Sequence, residues 1–166
     1  MSLSPTQRKL ARRRIRRYCE RSEAAKASIH YSQARPMTHL GDEPEAGFTA
    51  DCSGFATSAF YWADRHVRGF DVDDPNGLDY NGTGYTGTLL AHNRRRRVPL
   101  DRKFFIGDLA LYGPSLGQTT HVVICRKGGK ADEAVWSSHG SEAGPYAVRL
   151  HYRDDLLCVV RSEALA

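Results

Sequence analysis

From residue 109 onward the apolar residues of this chain no longer repeat at helical spacing. Five short runs take over: LALYG (109–113), HVVICRK (121–127), EAVWSSH (133–139), YAVRLHY (146–152) and LLCVVR (156–161). They are rich in β-branched and aromatic residues and are separated by Gly, Pro or charged turns, which is how strands read. Links this short join antiparallel neighbours, so the spacing predicts a meander. The first third of the chain has a different period. Ser4 and Pro5 supply an N-cap and a first helical residue, and Leu10, Ile15, Tyr18, Ala25 and Ile29 form a thin apolar stripe behind them. From Cys52, residues Phe55, Ala56, Ala59, Phe60 and Ala63 recur at helical spacing, giving a helix with one buried face. Helices first and sheet after make an α+β fold.

The remaining segments carry turn chemistry. Residues 30–51 hold two prolines and two glycines with no period and read as a loop leading into Cys52. Residues 67–100 are irregular, apart from a short helix within TGTLLAHNRRRR. With no internal repeat and no low-complexity linker, residues 26–166 are expected to form a single domain, preceded by a basic helix over residues 1–25. The 166 residues suit one domain, and a 40% hydrophobic content supplies a core. No apolar stretch approaches the roughly 20 residues of a membrane span. The basic N-terminus is not followed by an apolar segment, so no secretory signal is expected and synthesis in the cytoplasm is.

The four cysteines, Cys19, Cys52, Cys125 and Cys158, are widely and irregularly spaced. Neither a disulfide framework nor a zinc site follows from such spacing. Cys125 and Cys158 lie inside apolar runs and read as small buried hydrophobes. Cys52, in TADCSGFATSAFYW, stands instead in a polar, glycine-containing context at the start of a helix. A thiol caps a helix poorly, but the free N–H groups and dipole there stabilise a thiolate. GTGYTG (82–87) matches a dinucleotide fingerprint, yet DDPNGLDYN before it is no strand. Asp71, Asp73 and Asn76-Gly77 resemble a calcium loop with the glycine one place late and Gly82 where Glu is required. Both are read as turns, and no metal or cofactor is expected.

A nucleophile at an amide carbonyl needs a base and a group to orient it. Among the seven histidines, His121 opens the strand HVVIC after a polar turn, and His139 closes the strand AVWSSH before Gly140. The two stand at one end of neighbouring strands. DCSGF before a helix, then GDLALY, then HVVI, then a histidine ending the next strand, resembles the NlpC-type papain-like cell-wall cysteine peptidases over roughly residues 26–160. WSSHGSEAGP is similar to segments of such domains in actinobacterial phage lysins.

The resemblance implies a papain-like fold with N-terminal helices packed on a five- to six-stranded antiparallel sheet. It implies hydrolysis of amide bonds in peptidoglycan stem peptides. Position by position, Cys52 matches the nucleophile, His121 the base and His139 the residue that orients it, with Ser138 the alternative. Tyr31 matches a tyrosine that helps hold the oxyanion. Asp51 and Ser53 match residues that contact the free amine of a stem peptide. Two departures stand upstream: YSQARP replaces the family's Tyr-x-x-Gly-Gly, and the spacing from Tyr31 to Cys52 is somewhat longer than the family's. A wall peptidase without a secretory signal fits a phage endolysin released through a holin, or a tail-associated enzyme delivered with the virion beside other virion proteins.

The net charge of +5 is concentrated in residues 8–21 and in Arg94–Arg97. Such clusters favour an anionic partner, including the anionic polymers of a bacterial wall, or serve as a solvated face. Two other classes stay open. One is a virion structural protein that retains the fold. The other is a basic nucleic-acid binder, against which stand arginine runs without interleaved aromatics and the lack of a helix-turn-helix or zinc pattern.

Overall fold

The computed structural model describes residues 2–66 and 71–166, without the side chain of His66. The start of the irregular stretch expected from residue 67, residues 67–70, lies outside the described residues. Helix α1 spans Pro5–Ala24. Ser4 Oγ accepts from the Gln7 N–H at 3.3 Å, and Gln7 Oε1 accepts from the Ser4 N–H at 2.8 Å, a reciprocal cap that satisfies two otherwise orphaned donors. The helix stops short of Ile29 because Lys26–Ser28 tighten into a 3₁₀ turn. Ile29–Tyr31 then extends as β1, which pairs in parallel with β2, Phe48–Ala50, in the register Tyr31 to Ala50. This small sheet lies inside the stretch read as loop.

Helix α2, Cys52–His66, follows β2 directly. The expected face is buried, and so is every other residue from Cys52 to Phe60. The reason is that α2 is central. Helix α1 covers one side with Ala11, Ile15 and Tyr18, and the sheet covers the other with Leu109, Leu111, Val122 and Ile124. Tyr18 anchors the helix pair, its ring centroid 6.2 Å from Phe48, 5.8 Å from Phe55 and 5.9 Å from Trp62. Burial of one such aromatic side chain stabilises by about 2 kcal/mol.

The short helix α3, Thr86–Asn93, leads to a six-stranded antiparallel sheet. Its strands are β3 (Arg97–Val98), β4 (Leu109–Tyr112), β5 (His121–Lys127), β6 (Val135–Ser138), β7 (Tyr146–Val148) and β8 (Leu156–Val160). The expected meander runs from β4 to β7. The last strand leaves it, crossing back to pair with β3 and β4 and giving the order β3-β8-β4-β5-β6-β7. The period of two splits HVVIC between two cores. Val122 and Ile124 face α2, while Val123 and Cys125 join Ala110, Tyr112, Trp136 and Val159 on the far face. Among the described residues no helix is long and apolar enough to cross a membrane.

Candidate active site

The site is built where the start of α2 meets the open ends of β5 and β6. Asp51, not the cysteine, caps the helix: its Oδ1 accepts from the Gly54 N–H at 2.8 Å and from Ser53 Oγ at 3.0 Å. A Cβ on Gly54 would stand 1.9 Å from Met37 Sδ, so glycine leaves room over the helix start for the Met37 side chain, carried by the loop before β2.

That loop brings in Arg35, which no motif in the sequence marks. Arg35 Nη2 donates to Asp51 Oδ2 at 2.6 Å and to Ser53 Oγ at 3.1 Å. Its Nε donates to the Gly84 carbonyl at 3.0 Å, and Nη1 donates to the carbonyls of Gln33 at 3.0 Å and Ala34 at 3.3 Å. A guanidinium has five N–H groups, and all are used. Asp51 and Ser53, expected to meet a substrate amine, are both engaged by this one side chain.

Cys52 is 6% exposed. Burial, and after it the negative charge of Asp51, push its thiol up to about 11. The N–H groups of Val122, Ser53 and Cys52 itself favour the thiolate but do not outweigh those effects. The sulfur therefore rests as a neutral thiol against the backbone of Val122, one residue from His121. His121 is 5% exposed. Burial, then the charge of Arg153, hold its imidazole down to about 4. At neutral pH the pair is thiol and imidazole, not the ion pair that the helix terminus alone suggests. Among the described residues no hydrogen bond joins Cys52 to either histidine.

His121 shares a face with Tyr112 and Tyr152, whose ring centroids lie 5.9 and 6.4 Å from its own. Its Nε2 stands 3.1 Å from Ser138 Oγ, and Ser138 Oγ stands 3.3 Å from the Tyr152 hydroxyl. Ser138 is thus the residue bonded to His121. Gly140 lies flat against the imidazole, where a Cβ would come within 2.9 Å of Cε1.

His139 points the other way along the strand alternation, toward the helices. Its ring centroid is 5.9 Å from Phe55 and 5.7 Å from Tyr31. Its Nε2 lies 3.1 Å from the His30 carbonyl, which can only accept, so Nε2 carries the proton. The buried Nδ1 has no partner among the described residues, and burial lowers the ring's affinity for a second proton. Tyr31 ends β1 beside Ala50. Its backbone N–H donates to Glu142 Oε1 at 2.6 Å, and its hydroxyl accepts from Gln33 Nε2 at 3.2 Å, leaving its own proton free to donate. Glu142, also 3.2 Å from His30 Nδ1, ties β1 to the segment after β6.

Cys52, Tyr31, Asp51, Ser53 and His139 are therefore gathered around the helix start. His121 reaches the same sheet end from the far face, bonded to Ser138. Among the described residues no group of three His, Cys, Asp or Glu side chains is placed to hold a metal ion. No family model, no curated protein and no solved structure matches this chain.

Proposed function

We propose that this chain is a papain-like cysteine peptidase that hydrolyses amide bonds in the stem peptides of bacterial peptidoglycan, made by a phage as an endolysin. The observation that carries the reading is the use of the His121 ring. With Nε2–H donating to Ser138 Oγ, the tautomer this reading requires, Nδ1 is the nitrogen able to take a proton, and Cys52 Sγ rests against the next residue along the strand. A neutral imidazole is the competent form of a general base.

The chemistry follows from those groups. Nδ1 takes the Sγ proton as substrate displaces water from the site, and the sulfur lone pair attacks the amide carbon. The carbonyl π electrons move to oxygen, where the Cys52 N–H and the Tyr31 hydroxyl donate, each worth about 3 kcal/mol in a preorganised site. Collapse breaks the C–N bond, and the leaving amine takes the proton from Nδ1. A water then gives its proton to Nδ1 and attacks the thioester, releasing the acid and restoring the thiol. His139 braces the Tyr31 and Phe55 rings around this centre.

The basic clusters suit attachment to anionic wall polymers, with binding that weakens as salt rises. Action at the wall follows either holin release or delivery by the virion. The test is cleavage of purified peptidoglycan by the intact protein and by Cys52→Ala, with released fragments identified by mass spectrometry. Loss of cleavage in the variant alone supports the reading, and equal cleavage by both removes it.

A second reading, a virion structural protein that keeps the fold, is favoured by the 6% exposure of Cys52. A substrate-derived electrophile separates the two. A peptidase is modified at Cys52 and at no other cysteine. A structural protein is not modified there.

A further inference from the structure

We propose that Arg35 sets the substrate class of this site, excluding peptides with a free ammonium close to the scissile carbonyl and admitting those whose amine is acylated. The inference rests on the peptidase reading and deepens it. Asp51 is the residue before the candidate nucleophile, and its carboxylate is the nearest anionic group along the chain. Oδ1 is taken by the Gly54 N–H and Ser53 Oγ, and Oδ2 by Arg35. The ion pair is mostly buried, with side-chain exposures of 23% for Arg35 and 10% for Asp51.

An incoming ammonium finds three of the roughly four lone-pair sites of Asp51 filled, and at the remaining site on Oδ2 it meets the guanidinium of the same sign that already holds that oxygen. Arg35 cannot readily turn to make room. Its other three N–H groups are fixed on the carbonyls of Gln33, Ala34 and Gly84, so the side chain ties two loops to the start of α2. An acylated amine carries no charge and loses nothing on approach. In the wall, stem peptides still attached to glycan are acylated at their amino terminus, whereas detached peptides are free amines. Arg35 thereby directs the site to the intact polymer.

The test is calorimetric binding of two peptides to Cys52→Ala, a stem tetrapeptide with a free amino-terminal alanine and its N-acetyl form. The acetyl peptide is expected to bind at least about tenfold tighter. In Arg35→Ala, which releases Asp51, the gap should close or reverse, while Arg35→Lys keeps the charge and the preference. Equal or tighter binding of the free amine with Arg35 in place overturns the proposal, and so does a failure to bind either peptide. Since Arg35→Ala removes a clamp, its melting temperature is checked first, and the comparison in Cys52→Ala decides the matter without it. Peptidoglycan cleavage by the intact protein reports on the peptidase reading separately: discrimination without cleavage keeps the Arg35 rule and removes the chemistry.

Discussion

His121 Nε2 and Ser138 Oγ are 3.1 Å apart, and that bond leaves one imidazole nitrogen for the thiol. In the tautomer whose Nε2–H donates to Ser138 Oγ, Nδ1 is a bare lone pair, and the Tyr152 hydroxyl, 3.3 Å from Ser138 Oγ, completes the chain. Ser138→Ala frees the ring and admits the wrong tautomer. It is expected to lower kcat by about tenfold to a hundredfold with KM nearly unchanged, measured by steady-state release of peptide from peptidoglycan. An unchanged kcat removes Ser138 from the orienting role.

Acid should weaken the fold before it protonates the carboxylates. His121 is held down to about 4 from an ordinary 6.5, so the unfolded chain binds a proton that the folded chain refuses. Its contribution is complete above pH 6.5 and is lost as pH falls through the window down to about 4. Full loss amounts to about 3 kcal/mol, and the lowered affinity of His139 acts in the same direction. Urea midpoints between pH 7 and pH 4 measure it. His121→Gln should flatten most of the slope, and a slope unchanged in that variant contradicts the assignment.

The strands and both long helices are legible because their apolar periods are local. Alternation in HVVIC even assigns Val122 and Ile124 to one core and Val123 and Cys125 to the other. The small parallel sheet is not legible. Each of its strands is three residues long, in a stretch broken by Gly and Pro, and tertiary contacts secure them: Ile29, Phe48 and Ala50 join the core, and Glu142 holds the Tyr31 N–H. Strand β3 hides in the arginine run because edge pairing with Val159 and Val160 decides it. At the site, the cysteine and both histidines stand out by residue type and position. Which of Ser138 and His139 meets His121 depends on strand parity: Trp136 faces the far core, and Ser138, two residues on, follows it. Arg35 leaves no trace in sequence, since its partners come from three separate segments.

Asp51 carries two duties, capping α2 and neutralising Arg35. Asp51→Ala removes both, and breaking one side of a mostly buried pair costs about 3 kcal/mol. Asp51→Asn keeps the cap acceptor and should cost less. Chemical denaturation of both variants and of Arg35→Ala, combined as a double-mutant cycle, gives the coupling. A coupling near zero would show that the pair is not a clamp.

Helix α1 is part of the core, with Ile15, Tyr18 and Cys19 buried against α2 and the sheet. Ile15→Ala should destabilise by about 2–5 kcal/mol. Removal of residues 1–25 should leave a chain that does not unfold cooperatively. A truncated chain with an unchanged melting transition would show that the helix is an appendage.

The most direct measurement is of Cys52 during turnover. Purified peptidoglycan is incubated with the intact protein, quenched in acid and analysed by intact-mass spectrometry, with Cys52→Ala and His121→Ala alongside. The account predicts peptide fragments from the intact protein, a transient acyl adduct on Cys52, and neither in the two variants. Fragments released equally by Cys52→Ala, or no fragments from any of the three, contradict it.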